Sequence, residues 1–481
     1  MRPTPSPCVR PAACRGSGAP RPRGFQWFVL CLVLAAPFAA RGDEQVCAPF
    51  PPAQPASPGE SFAGAGIVPG KHRLPRSSAS SGRIVELSSS GVEIGDNDME
   101  GEAILVLPKR GDGSIATNFR LAEGASVAQS AWSPVLCATL VRIVGPSGLT
   151  PAQLVPLVPP GALVVPNHRY HASARDLRPA LLATTKGVGP DPYQPLQYGL
   201  ARTGVMKGRP RYTGAGVRVA LLDSAPDTSA RELLRVRVLP LDDGPPSAPA
   251  THGTLVAGII AAIENNAFGI AGIAPAAEVL AIPVCAPVSD PLGEECRMFD
   301  LLRGVDRAWV EEARLVNLAL VGPPDPVLER AMDRLRQLGV LVVAAAGNEG
   351  TDHPRYPAAY PSVIGVGALD QHDRRWSRSN YGAAASLLAP GVEVLSTIPG
   401  DSFAFADGTS LAAAHVSGLL SVLLAASDQP ELVRRAFLDA GRQAALAASS
   451  RRAGGSPAAG AVLPRLCDVL PALGQACPSG P

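Results

Sequence analysis

Aromatic residues make up only 5% of this 481-residue chain and charged residues only 17%. Forty-three basic side chains stand against 41 acidic ones, for a formal net charge of +2. A bias that small excludes nucleic acid or an anionic membrane as the default partner. No two of the nine cysteines form a CxxC pair, so zinc-ribbon and thioredoxin-type chemistry have no foothold. Apolar residues, by contrast, make up 46% of the chain, enough for a sizeable core and roughly two or three domains. With 49 Gly and 50 Pro, about one residue in five is a chain breaker, so their distribution matters.

Much of the proline lies early. Residues 1–42 contain no acidic residue, and Arg2, Arg10, Arg15, Arg21 and Arg23 precede an apolar run of 14 residues, Trp27–Ala40. A spanning helix needs roughly 20, so this pattern predicts a signal peptide rather than an anchor. Ala40-Arg41-Gly42 supplies small residues for cleavage, and the expected destination is export, secreted or periplasmic. Three cysteines fall in this leader, leaving Cys47, Cys137, Cys285, Cys296, Cys467 and Cys477. An even number in an exported chain favours disulfides; 285–296 and 467–477 are the short spans, which leaves Cys47 with Cys137.

Residues 43–98 are Pro/Ser/Gly-rich without periodicity and read as a linker. Residues 99–175 read as a small α+β unit. EAILVLP, CATLVRIV and ALVVPNHRY are its strands, and LTPAQLVPLV is a helix capped by Thr150 with Pro151 first. From 191 to 445 near-continuous apolar runs (GVRVALLD, RLVNLAL, GVLVVAAAG, PSVIGVGAL) alternate with helical patterns at 299–313 and 326–339. That rhythm predicts an α/β domain with a doubly wound, mostly parallel sheet whose site lies beyond the carboxyl ends of its strands. Residues 446–481 form a C-terminal extension carrying a cysteine pair.

Three positions carry chemistry. Asp223 ends an apolar strand, His252 opens a small-residue helix, and Ser410 begins a longer one. Singly, each is more often a turn residue, a structural histidine or a helix cap. Together they make a set for nucleophilic acyl transfer: Ser410 attacks, His252 takes its proton and Asp223 holds the imidazole. His415, five helical residues on, lies about 140° around the axis from Ser410 and is expected to be structural.

The segments LLDS, HGTLVAGIIAA, GIAGIAP, VVAAAGNEG, YPAAYPSVIGVGA and GTSLAAAHVSG occur in that order. In them the chain resembles the subtilisin-like serine proteases (subtilases), whose triad order is Asp, His, Ser. The resemblance implies a subtilisin-like fold, Asn348 as the side-chain oxyanion donor, and residues 99–175 as a propeptide that acts as intramolecular inhibitor. Self-cleavage is then expected between about His171 and Pro190. It also implies a substrate-pairing stretch at Leu320, Val321 and Gly322, and places Arg355 at the floor of the primary specificity pocket, where it would welcome acidic side chains. Departures are Ala225 for a usual Gly, Leu411 for Met, Ala414 for Pro and Val321 for Gly. ENNAFGI resembles the family's calcium loop, with Gln194, Glu232 and Asn266 at matching offsets, so a structural calcium is among the expectations; catalysis requires no cofactor.

The function expected is therefore an exported, self-processed serine endopeptidase, a monomer acting on protein or peptide, with no nucleic-acid partner. The alternative is a catalytically inactive binding protein on the same frame. A lipase or esterase is disfavoured by the missing GxSxG elbow.

Overall fold

The structure is a computed structural model describing residues 97–478 apart from 110–112, 116–117, 173, 181–188, 210, 243–247, 289–292, 383–386 and 451–460. The leader and almost all of the linker, residues 1–96, lie outside the described residues.

The first unit is an antiparallel sheet of β1 (Asp98–Pro108), β2 (Ser126–Ser133), β3 (Ala138–Val144) and β4 (Leu163–Ala172). β1 pairs with both β3 and β4, and β2 pairs with β3. β1 is apolar on both faces because both are covered. Ala103, Leu105 and Leu107 pack with Val141, Ile143 and Leu154, whereas Ile104 and Val106 join a cluster with Met298, Leu302 and Val305 from a helix of the larger unit. Thr150 caps the helix Pro151–Leu154 as expected, but the helix stops after one turn. Pro156 is the reason, since it pushes the residue before it out of the helical region. β5 (Ala174–Ala180) follows.

The larger unit supplies β6 (Arg218–Asp223), β7 (Arg237–Val238), β8 (Glu278–Pro283), the hairpin β9 (Cys285–Pro287) and β10 (Glu294–Arg297), and β11 (Leu315–Leu318) with β12 (Leu320–Val321). It continues through β13 (Leu341–Ala345), β14 (Ile364–Leu369), β15 (Leu387–Pro390), the hairpin β16 (Val394–Ile398) and β17 (Ser402–Gly408), and β18 (Ala461–Val462). Eight of these form one sheet in the order β18-β15-β14-β13-β11-β6-β8-β7, parallel at every pairing. Strands β11, β13, β14 and β15 are buried along their whole length, which explains their lack of alternation. The order changes direction between β6 and β11, so the crevice beyond their carboxyl ends is the expected ligand position.

Helices cover the sheet. Met298–Val310 and Pro326–Gln337 are amphipathic, the second capped by Asp325, which accepts from the Val327 and Leu328 amides. Thr251–Ala261 and Thr409–Ala426 have almost no polar face and are buried nearly throughout. The reading of 314–320 as one strand needs correction: Ala319 separates β11 in the central sheet from β12, which belongs to the other sheet.

That second sheet joins the two units. β4 lies between β10, pairing Arg169 with Arg297 through His171 with Glu295, and β12, pairing His171 with Val321 and Ala172 with Leu320. Tyr170 is wholly buried there, its hydroxyl donating to the Pro323 carbonyl (3.1 Å). Gly322 makes the seat possible, because a Cβ on it would lie 2.2 Å from the Tyr170 ring. Beyond residue 173, β5 pairs with β17, the strand leading into the Ser410 helix.

Packing continues past residue 445. The helix Pro430–Ser450 crosses that point, and β18 adds the outermost strand beside β15. Cys467 and Cys477 are disulfide-bonded, as are Cys285 and Cys296. Cys137 is also disulfide-bonded, while its expected partner Cys47 lies outside the described residues. Truncation before Ala461 removes β18 and the fully buried Leu466, Val469 and Leu470. At about 1.5–3 kcal/mol for each buried side chain, the loss rivals the whole stability of a typical domain. The truncated chain should therefore be insoluble or melt far below the full chain in calorimetry; an unchanged melting temperature would contradict this packing.

Candidate active site

Asp223 is the last residue of β6, at the carboxyl edge where the strand order turns, and is 2% exposed. Its Oδ1 accepts from the Ser224 amide (2.8 Å) and meets His252 Nδ1 at 2.8 Å. His252 sits in the first turn of its helix and is completely buried. The helix can approach so closely because position 253 is glycine: a Cβ there would lie 2.3 Å from the Ser224 carbonyl oxygen. Burial opposes charge on the His252 ring, but the Asp223 carboxylate more than offsets it and raises the ring's pKa above the usual value. With Nδ1 committed to Asp223, Nε2 is the ring nitrogen that remains, and it makes no hydrogen bond among the described residues.

Ser410 is the second residue of a buried helix that packs against the His252 helix. Its Oγ, like His252 Nε2, is buried and makes no hydrogen bond among the described residues. The preceding residue organises its surroundings. Thr409 Oγ1 donates to Asn348 Oδ1 (3.0 Å) and accepts from the Gly347 amide (3.1 Å), while the Thr409 amide also donates to Asn348 Oδ1 (3.0 Å). Two donors on one oxygen identify it as the carbonyl end of the Asn348 amide, so the NH2 group is the end able to donate toward an anion.

Asn380 braces the same loop from behind. Its Oδ1 accepts from the amides of Glu349 and Thr351, and its Nδ2 donates to the Ala346 carbonyl and Glu349 Oε2. Sequence reasoning missed Thr409 and Asn380. Thr409 adjoins Ser410 and could have been suspected; Asn380 carries no local signal at all. His415 is buried, hydrogen-bonded through Nδ1 to the Leu411 carbonyl, and pushed down by burial to about 4, the behaviour of a structural histidine.

Leu320 and Val321 form β12, the expected cleft strand, and pair with Ala172 and His171 of β4; Gly322 follows, and Arg355 stands beside them. The Arg355 amide donates to the Ala346 carbonyl (2.8 Å), and its Nε points to the Gly322 carbonyl at 3.5 Å. The guanidinium thus lies between the cleft strand and the Asn348 loop.

The three residues expected to hold calcium do not converge as an oxygen cage. Gln194 Nε2 contacts the Met206 sulfur. Asn266 spends its oxygen on the Phe268 amide and turns its NH2 to Glu232. Glu232 accepts from the Ile270 amide, and burial pushes its carboxyl up to about 8, so it is largely neutral at physiological pH. A neutral acid and an inward amide NH2 do not suit a hard cation. Among the described residues no group of three or more His, Cys, Asp or Glu side chains is placed to hold a metal.

The sequence profile described as the subtilase family matches residues 214–455. Subtilisin BL of Lederbergia lenta is 38% identical over 235 residues, 48% of this chain and 84% of its own length. Subtilisin Savinase of the same organism is 37% identical over 233 residues, 48% of this chain and 84% of that protein. Subtilisin E of Bacillus subtilis (strain 168) is 37% identical over 222 residues, 44% of this chain and 56% of that protein.

Thr409→Val preserves shape but leaves the buried Gly347 amide unpaired and removes one of the two donors that hold Asn348 Oδ1. Labelling of Ser410 by a fluorophosphonate should slow by about 10–100-fold, the kinetic equivalent of losing one or two buried hydrogen bonds. Labelling at the wild-type rate in a folded variant would refute the bracing role.

Proposed function

The chain belongs to the subtilase family and is a serine endopeptidase, and from that premise we propose that Asp223, His252 and Ser410 are its catalytic triad, used first on its own precursor. His252 Nε2 takes the Ser410 hydroxyl proton as Oγ attacks the scissile carbonyl, and Asp223 stabilises the imidazolium. The tetrahedral oxyanion is held by the Asn348 NH2 and the Ser410 amide at the start of its helix. The imidazolium returns its proton to the leaving amine, giving an acyl-enzyme that water hydrolyses by the reverse steps.

The observation that carries the reading is the path of β4. It runs as an extended strand between β10 and β12 up to Ala172, and the chain resumes at Ala174 opposite Gly408, two residues before Ser410. A segment paired on both sides and passing the nucleophile has the posture of a substrate. The unit read as 99–175 is accordingly a propeptide that inhibits until cut; we put its end at residue 172 or 173, the cut falling at one of the two peptide bonds between Ala172 and Ala174. The docking includes a charge pair across the units. His168 bonds Asp98 (2.6 Å) and lies 3.4 Å from Asp325, whose carboxylate side chain is fully buried. Burial disfavours the charged ring, but both carboxylates outweigh it and raise His168 to about 9. Export is supported by the paired cysteines, which suit an oxidising compartment. Substrate is protein or peptide; no cofactor is invoked and the working form is a monomer.

Ser410→Ala should accumulate as full-length precursor, whereas wild-type enzyme should show a new N-terminus at residue 173 or 174 by mass spectrometry. Normal maturation of the variant in a protease-deficient host would defeat self-processing. For specificity, Arg355 should favour acidic side chains before the scissile bond, and Arg355→Gly should weaken that preference by about 10-fold or more, the scale of one charge-assisted hydrogen bond. A peptide-library profile dominated by Phe or Leu would rule the preference out.

A further inference from the structure

One buried carboxyl outside the assigned residues stands directly against them. Glu294 opens β10, is 2% exposed, and its Oε2 has no hydrogen-bond partner among the described residues. Side chains alternate along the strand. Glu295 is half-buried and pairs across the cleft with His171, while Cys296 is wholly buried and bonded to Cys285, its partner in the hairpin. Glu294 therefore shares the inward face with Cys296, and the disulfide pins that face in place. The face looks onto the end of β6, where the Glu294 carboxyl lies near Ser224 and is within electrostatic reach of both Asp223 and His252. Ser224 itself is tied to Asp223 and to the Gly253 amide (3.2 Å). The other titratable group at this point is His171 of β4, whose ring bonds the Glu294 main chain.

Resting on the reading of His252 as the base, we propose that Glu294 is a positioning residue acting through His252: together with Asp223 it stabilises the protonated imidazole by its charge. Two carboxyls and one imidazole in a site closed to water cannot titrate independently; they take up protons as a unit. Burial and the Asp223 charge push Glu294 up to about 7, and His252 pulls it back down. Reciprocally, burial works against a charged His252, and Asp223 followed by Glu294 overcomes it. The cluster therefore exchanges a proton near neutrality, either as neutral Glu294 beside neutral His252 or as an ionised pair. Only the neutral ring can accept the Ser410 proton. A carboxylate beside the ring favours the charged form, so removing it lowers the pH at which His252 becomes free to act.

The test is the pH dependence of fluorophosphonate labelling of Ser410 in the matured enzyme. Glu294→Gln keeps size and hydrogen bonding but loses the charge, and should move the acid limb down by roughly one pH unit. One unit below the wild-type midpoint it should then label about five-fold faster relative to its own plateau. Glu294→Asp retains the charge and should stay closer to wild type than to Glu294→Gln. No shift in Glu294→Gln, or equal shifts in both variants, overturns the proposal. His252→Ala separates the premise: reactivity that survives it removes the base assignment along with the proposal, whereas an unshifted limb with inactive His252→Ala removes the Glu294 role alone. Independently of how these variants fold, infrared difference titration of the Ser410→Ala chain should show a buried protonated carboxyl lost together with the imidazolium. Its absence is equally fatal.

Discussion

A helix of 18 residues with no solvent-facing side has to be enclosed, and much of the structure follows from enclosing Thr409–Ala426. The parallel sheet covers it through β11, β13, β14 and β15, the His252 helix packs beside it, and the Pro430–Ser450 helix lies across it. Ala412, Ala413, Ala414 and Gly418 allow that approach; a Cβ at Gly418 would come within 2.7 Å of Ile273. The chain enters this helix at Gly408, so the same burial that stabilises it brings Ser410 to the carboxyl edge of the sheet. There the free amides of a helix start are available to an oxyanion.

Burial sets the electrostatics as well. Where water is excluded, every polar atom must find a partner within the protein. Thr409, Asn380 and Ser224 serve that need, and each thereby fixes the orientation of a reacting group. Between β11 and the long helix, Asn317 donates to Ser417 Oγ (2.7 Å), and within that helix Ser421 donates to the Ser417 carbonyl (2.7 Å). Against this background the unpaired atoms stand out. Among the described residues, His252 Nε2, Ser410 Oγ and Glu294 Oε2 are three of the buried side-chain atoms without a hydrogen bond.

The smaller unit is attached by the means a substrate would use. The smaller unit's β4 pairs with β10 and β12 of the larger unit, so the attachment runs through main-chain hydrogen bonds, with Tyr170 buried beside them. Asp306 adds a polar anchor by accepting from Ser133 Oγ (2.8 Å) and the Val135 amide (3.2 Å). Strand addition needs few particular side chains, which accounts for the weak trace it leaves in the sequence.

The sequence alone determined the parallel α/β core, because strands buried on both faces must be continuously apolar, as GVLVVAAAG is. It also marked Asp223, His252, Ser410 and Asn348 as candidates, since each sits in a short segment of distinctive composition at an element boundary. The cysteine pairs 285–296 and 467–477 were legible from their short spans. Tertiary structure decided the rest. The one-turn helix at Pro151 and the break at Ala319 depend on local backbone that a hydrophobic pattern does not encode. The absence of a calcium cage follows from which end of the Asn266 amide turns inward. The C-terminal strand β18, only two residues long, exists because β15 offers it an edge. Thr409, Asn380 and Glu294 gain their roles from neighbours 29 to 71 residues away in sequence, and no spacing rule links positions that meet only when buried polar atoms must be satisfied in three dimensions.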